Sequence, residues 1–379
     1  MLIKAIKIRL FPTEEQEILM FKTIGCARFA YNWGLAKQEE NYKIGGKFIS
    51  CRNLRDEFTK LKKEEEYKWL NEVSSDTIRH PFDNLKTAYD RFFKKTGGYP
   101  KFKSKKKSRK SFYVRYDRMR FFKDKQLVSI EKIGRVKYKT NYNIPILKKY
   151  MNPYCHFDGK YWYLTFNYEH NEKQVELNQD LSIGIDLGVK DLAIVNCLDK
   201  PIKNINKTIR VRKLKKKLKR LQKQVSRKYE ANKQGNKFIK TNNIIKLERE
   251  IKLIHRRLSN IRLNHIHQTT NMIIKLRPYR VVMEDLNISG MMKNKHLAKA
   301  IAEQCFYEFI RQMQYKCEFN RIEFVQADRF YPSSKTCSCC GHIKKDLKLK
   351  NRIYICPECG LEKDRDKNAS INLGNYKIA

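Results

Sequence analysis

Two sets of residues in this 379-residue chain have the type and spacing to do chemistry. The first is a set of thiols. Cys337 and Cys340 are separated by two residues, fifteen residues intervene, and Cys356 and Cys359 repeat the spacing. Each pair can offer two thiolates to one metal, and four thiolates complete a tetrahedral zinc site with no position left for water or substrate. The expected Zn2+ is therefore structural, and holds a ribbon that faces nucleic acid rather than performing chemistry. Cys339 lies inside the first pair; Cys340 keeps the two-residue spacing from Cys337, so Cys339 is read as a bystander. Cys26, Cys51, Cys155, Cys197, Cys305 and Cys317 are scattered singly and read as ordinary buried thiols of a reducing compartment.

The second set is made of carboxylates. Asp186 interrupts the apolar run IGIDLG, Glu284 interrupts VVMEDL, and Asp366 begins the last helical stretch. An ionised side chain among buried strand residues is costly unless it is paired or bound to a cation. Hard divalent cations take oxygen ligands, and two of them about 4 Å apart can stabilise the attacking and leaving oxygens of a phosphodiester displacement. Mg2+ held by Asp186, Glu284 and Asp366 is the chemistry this pattern suggests. Each carboxylate also has a plainer reading: Asp186 as a turn neighbour, Glu284 as a solvated strand end, Asp366 as the N-cap of its helix, and Asp364 as a solvated loop charge. Asp285, next to Glu284, must point to the opposite face of its strand.

The elements that must position these groups follow from periodicity. LIKAIKIRL alternates with period two and is followed by the capping-box pair Thr13 and Gln16. Helical stretches continue to the Gly97–Gly98 break, and residues from about 111 to 178 read as β, rich in aromatic and β-branched side chains. LSIGIDLGVKDLAIVN reads as a hairpin turning at Gly188. Leu214, Leu218, Leu221 and Val225 share one helical face, and Leu247, Ile251, Ile254, Leu258 and Ile261 share another, which predicts an antiparallel helical hairpin. A strand YRVVMEDL, one helix over KHLAKAIAEQCFYEFIRQMQYKC, a strand RIEFVQAD, the cysteine cluster and a terminal helix complete the chain.

Charge narrows the partner. Lys plus Arg number 83 against 40 Asp plus Glu, a net +43 that a polyanion would offset. The excess is concentrated in Lys101, Lys103, Lys105, Lys106, Lys107 and Arg109, and again in Arg210, Arg212, Lys213, Lys216, Lys217 and Arg220, a stretch with no acidic residue of its own. Arg115, Arg118 and Arg120 alternate with Phe112, Tyr113, Tyr116, Phe121 and Phe122, which could present phosphate contacts and stacking faces, or a core with a solvated strand face. Lys293 and Lys295 follow Glu284 closely. A hydrophobic content of 41% suffices for real cores, no stretch reaches the roughly 20 apolar residues of a membrane helix, and the opening lacks signal-peptide character. The expected location is cytoplasmic and associated with the nucleoid, with no membrane contact.

GIDLGVKDLAIV, VVMEDLNISGMMKN, YPSSKTCSCCG and CPECGLEKDRDKNASINL, with RFAYNWGL and GGYPKFKSK earlier in the chain, resemble the signature segments of the TnpB proteins, transposon-encoded relatives of the type V CRISPR effector nucleases. The resemblance implies that Asp186, Glu284 and Asp366 form a Mg2+-dependent RuvC-type site. It also implies an α/β multidomain fold: an RNase H-like (RuvC-type) nuclease domain with an inserted zinc ribbon, and an N-terminal β-barrel wedge domain with an inserted helical recognition domain. The implied boundaries are wedge 1–11 and 99–180, helical recognition domain 12–98, nuclease domain 181–328 with the helical hairpin as an insertion, target-binding zinc ribbon 329–361, and final catalytic segment 362–379. The implied partners of this monomer are a guide RNA from the transposon end and double-stranded target DNA, the protein reading only a short motif beside the target. The implied activity is RNA-guided DNA cleavage; a nuclease-silent RNA-guided repressor and a strand-transfer transposase are the alternatives. Lys293 and Lys295 would lie on a lid over the catalytic centre.

Overall fold

The computed structural model describes residues 2–145, 150–170, 175–348 and 351–377. The chain divides after His170 into two compact units.

The first unit is built on a seven-stranded antiparallel sheet. Its order is Ser111–Tyr113, Met151–Phe157, Trp162–His170, Leu2–Phe11, Gly134–Lys139, Leu127–Ile130, Met119–Phe122. The period-two reading of the first strand holds: Ile6, Ile8 and Leu10 are buried while Ala5, Lys7 and Phe11 face out. The Thr13–Gln16 capping box starts a helix over Glu14–Lys43. That helix serves two cores, sending Met20 and Ile24 into the sheet and Cys26, Ala30, Tyr31 and Leu35 against the helices Cys51–Leu61 and Ser75–Phe93. Phe112 is buried in the sheet core and Tyr116 and Phe121 pack on it, so those three rings serve as core rather than as stacking faces.

The second unit carries a five-stranded sheet ordered Ile202–Lys203, Asp191–Val195, Asn178–Leu187, Pro278–Glu284, Glu323–Ala327. The hairpin about Gly188 is antiparallel, whereas 178–187, 278–284 and 323–327 run parallel to one another. Parallel neighbours need crossovers, and helices supply them. One face packs Ile183, Ile185, Val281 and Met283 against Ile266 and Ile273 of the helix Asn242–Lys275 and against Phe306, Phe309 and Met313 of the helix Phe306–Phe319. The opposite face packs Val282 and Ala327 on Leu373 of the terminal helix, Arg365–Gly374. The predicted helical hairpin is present as Ile209–Ala231 and Asn242–Lys275, joined through Val211, Leu221, Ile254 and Leu258.

The single helix expected over residues 295–317 is instead two, Ala298–Gln304 and Phe306–Phe319, broken at Cys305 with φ +56. The break accompanies a contact: buried Gln304 donates from Nε2 to the carbonyls of Gly188 (3.0 Å) and Val189 (3.4 Å), bracing the turn that follows Asp186. Among the described residues no helix is long and apolar enough to cross a membrane. The scattered cysteines are mixed rather than uniformly buried: Cys26, Cys155 and Cys317 are buried, Cys51 and Cys305 are intermediate, and Cys197 is exposed.

The terminal helix lies unusually close to the sheet. A Cβ on residue 184 would stand 2.0 Å from the Ser370 carbonyl oxygen and 2.2 Å from the Gly374 nitrogen, both backbone atoms that cannot swing aside. Gly184→Ala should therefore push the helix off the sheet, at a cost of about 3 kcal/mol or more. That corresponds to roughly 6–12 °C in Tm for a unit of this size. A melting temperature within a degree of the wild type would refute the close approach.

Candidate active site and metal centre

Strand alternation decides where the carboxylates go. Gly184 faces the terminal helix, so Asp186, two residues on, faces the same way. Val282 packs on Leu373 of that helix, so Glu284 points to that face as well. In the parallel ladder Gly184 pairs with Val282 and Ile185 with Met283, which sets Asp186 and Glu284 side by side at the C-terminal ends of adjacent strands. Asp366 comes to the same place from the helix docked over them.

Asp366 is not the N-cap. Asp364 is, its Oδ1 accepting the backbone N–H groups of Asp366 and Lys367, each at 3.0 Å. That corrects two plain readings together: Asp364 is a capping residue rather than a solvated loop charge, and the Asp366 side chain is left for other partners. Those partners are Arg365, whose Nη2 donates to Oδ1 at 3.0 Å, and Arg352, whose Nη1 lies 3.5 Å from Oδ2. Lys367 fastens the start of the helix to the hairpin, donating from Nζ to the carbonyls of Asn196 (2.8 Å) and Leu198 (2.7 Å).

Electrostatics agree with the geometry. Burial, then the nearby charges of Glu284 and Asp366, raise the Asp186 carboxyl well above the usual range, with Arg365 opposing. Like charges gathered at a partly buried position are what a hard divalent cation relieves, and an all-oxygen donor set suits Mg2+. Glu284 Oε1 accepts from the hydroxyl of buried Ser333, and Asp285, off on its own side, pairs with Arg329.

The cysteines form the tighter cluster. Among the described residues, Cys337, Cys340, Cys356 and Cys359 are the group of metal-type ligands whose donor atoms all lie within 4.8 Å of one another. Cys337 Sγ is 3.5 Å from Cys359 Sγ and Cys340 Sγ 3.6 Å from Cys356 Sγ. A tetrahedron with Zn–S bonds near 2.3 Å has edges of about 3.8 Å, so the set fits zinc. The backbone N–H of Cys359, aided by that of Glu358, pulls the Cys356 thiol down to about 6, toward the thiolate a metal needs. Cys339 is exposed and outside the cluster, as its spacing predicted.

The basic residues sort less uniformly. Lys101, Lys105, Lys106, Lys107 and Arg109 are exposed, as are Arg210, Arg212, Lys213, Lys216 and Arg220, and Lys293 and Lys295 beyond Glu284. Lys217 pairs with Glu250 and its neighbour Lys215 with Glu303, so acidic residues distant in sequence do relieve the basic helix. Arg115 is held between Asp76 and Asp117, Arg118 lies 3.9 Å from Glu131, and Arg120 is exposed. Lys103 sits half-buried with Nζ 3.5 Å over the Tyr31 ring, and burial lowers it to about 8. It lines a cavity of about 1250 Å³ in the first unit together with Lys22, Arg28, Lys105, Arg109 and Lys110. Sequence reading did not single out Lys22 and Arg28; both lie on the long first helix, and only the fold brings them to the basic loop.

Three family descriptions match the chain: "Helix-turn-helix domain" over residues 1–47, "Probable transposase" over 165–295 and "Cas12f1-like, TNB domain" over 306–373. The second contains Asp186 and Glu284, the third the four cysteines and Asp366. Residues 1–47 fold here as a strand and one long helix. Among curated relatives, the "Putative RNA-guided DNA endonuclease" of Streptomyces pristinaespiralis is 29% identical over 98% of this chain and 88% of its own length. The "Putative RNA-guided DNA endonuclease InsQ" of Escherichia coli (strain K12) is 28% identical over 98% and 91%. The "TnpB-like protein L79" of Acanthamoeba polyphaga mimivirus is 29% identical over 34% of this chain and 25% of its own.

Two outcomes are expected. Purified, reduced protein should hold about one zinc, and Cys356→Ser should lose it and locally unfold the ribbon; elemental analysis finding no zinc in the wild type would overturn the assignment. Lys103 is charged below about 8 and neutral above. If the cavity receives a polyanion, binding to an oligonucleotide should weaken from pH 7 to pH 9, and Lys103→Arg, which stays charged, should flatten that dependence. Titrations that fall equally in both proteins would place the phosphate elsewhere.

Proposed function

We propose, on the premise that the chain belongs to the TnpB family of transposon-encoded proteins, that it is an RNA-guided DNA endonuclease with a Mg2+-dependent, RuvC-type site at Asp186, Glu284 and Asp366. The observation that carries the reading is the arrangement of the three carboxylates: two on the same face of adjacent parallel strands, the third on the helix docked over that face. The sheet order, an antiparallel hairpin joined to two parallel strands, supports the RNase H-like reading of this unit.

When bound, Mg2+ would neutralise phosphate charge and supply an activated water for hydrolysis. The chain's own residues do the rest. Asp186 and Glu284, on adjacent strands, would hold the cation, and Asp366, on the docked terminal helix, would add a third ligand. Lys293 and Lys295, exposed after Glu284, would meet the phosphates of the strand being cut. The wedge and recognition roles fall to the seven-stranded sheet and the helices of the first unit, with the basic cavity of that unit taking nucleic-acid backbone. The zinc ribbon contacts the target. A net charge of +43, with basic clusters in separate places, suits a large folded RNA from the transposon end held alongside duplex DNA, guide pairing selecting the target beside a short motif read by the protein.

The test is direct. Protein expressed with its flanking genomic DNA should co-purify with a discrete RNA, and changing that RNA's guide segment should move the cut. Asp186→Ala and Glu284→Ala should each abolish Mg2+-dependent cleavage and leave target binding largely intact. Cutting by either variant would put the active site elsewhere. Joined strands would indicate a transposase, and protection without cutting by the wild type a repressor.

A further inference from the structure

The segment between the last strand of the five-stranded sheet and the first zinc ligand is held in place by more bonds than a connection needs. Ser333, 3% exposed, donates its hydroxyl to Glu284 Oε1. Its own carbonyl accepts Nδ2 of Asn372 at 2.7 Å. The Thr336 carbonyl accepts Nδ2 of both Asn372 (2.6 Å) and Asn368 (2.7 Å), and Asn368 Oδ1 takes the N–H of Ser338 at 3.0 Å. Asn368 and Asn372 are themselves buried, one turn apart on the terminal helix that bears Asp366. Cys337 lies within the segment so pinned.

A buried hydroxyl is costly without a partner and has little room to find another. Here the amide ladder restrains the backbone at Ser333 and Thr336, and the hydroxyl donates to the carboxylate. A hydrogen bond at Oε1 restricts the rotation of the Glu284 carboxyl and leaves Oε2 to take a cation. We propose that Ser333 is a positioning residue for Glu284, and that Asn368 and Asn372 are the struts that aim it, so that one helix both delivers Asp366 and sets the rotamer of Glu284. This rests on the reading of Glu284 as a cation ligand. Partners of this kind typically change metal affinity or activity by about 10- to 100-fold when removed.

The experiment uses the full chain with its co-purified RNA and reads Mn2+ binding by electron paramagnetic resonance alongside the Mg2+ dependence of cleavage. Ser333→Ala should weaken Mn2+ binding and raise the half-saturating Mg2+ by about 10- to 100-fold. Excess Mg2+ should restore its cleavage rate, with zinc content and Tm held near wild type. Ser333→Thr, which keeps the hydroxyl, should recover the affinity. A Ser333→Ala protein with wild-type Mn2+ binding and Mg2+ dependence overturns the proposal, as does a loss that follows zinc or Tm and that Mg2+ cannot restore. If the wild type binds Mn2+ in a manner sensitive to both Glu284→Gln and Ser333→Ala yet cuts no DNA, the positioning role stands and the nuclease reading falls.

Discussion

The second unit depends on the absence of one side chain. Because residue 184 is glycine, the terminal helix can lie with its backbone against the strand that carries Asp186, closer than any Cβ would permit. The contact is made specific by hydrogen bonds. Ser182 Oγ and Arg280 Nη2 both donate to the Gly374 carbonyl, at 2.6 and 3.1 Å, occupying an acceptor at the helix end that would otherwise be unsatisfied. Asn196 ties the neighbouring strand in, donating to the Ser182 carbonyl and accepting from the Gly184 N–H. The gathering of the three carboxylates lies downstream of that docking, since Asp366 comes near Asp186 only on this helix.

Placing three carboxylates together works against folding, and the structure shows how the cost is contained. Burial and the neighbouring charges of Glu284 and Asp366 raise the Asp186 carboxyl, which makes its neutral form less costly than its charged one would otherwise be. Asp366 takes the opposite route, with a guanidinium on each side. Such pairs at a partly exposed edge contribute little to stability. They do give the Asp366 carboxylate fixed partners at the edge of the site.

Much of the fold was legible in the sequence because it rests on local signals. The period-two strand, the Thr13 capping box, the hairpin at Gly188 and the two apolar helical faces each encode their own conformation within a few residues. Asp186, Glu284 and Asp366 stood out because a charge within an apolar strand or at a helix start breaks a pattern, and the cysteine spacing carries its own geometry. What stayed hidden depends on contacts distant in sequence. Nothing local marks Ser333 as the partner of Glu284, Glu250 and Glu303 as the counter-charges of the basic helix, or Cys305 as a helix break. Asp366 looked like the cap and Asp364 like a solvated loop charge, and only the backbone N–H directions reverse the two.

The position of the zinc cluster has a physical reason. Glu284 lies at the end of one strand, and the chain must pass through a further strand and then residues 328–364 before the terminal helix can bring Asp366 back to it. Closing a long flexible connection costs entropy that grows with its length. Four thiolates on one ion would fold most of that connection into a rigid knot, shortening the flexible path to a few residues on each side of the ribbon. The Asn368 and Asn372 amides then fasten the near end of the ribbon to the helix itself. The segment therefore bears on the carboxylates directly, through Ser333 on Glu284 and Arg352 on Asp366, and indirectly, because its ties to Asn368 and Asn372 limit where the terminal helix can dock.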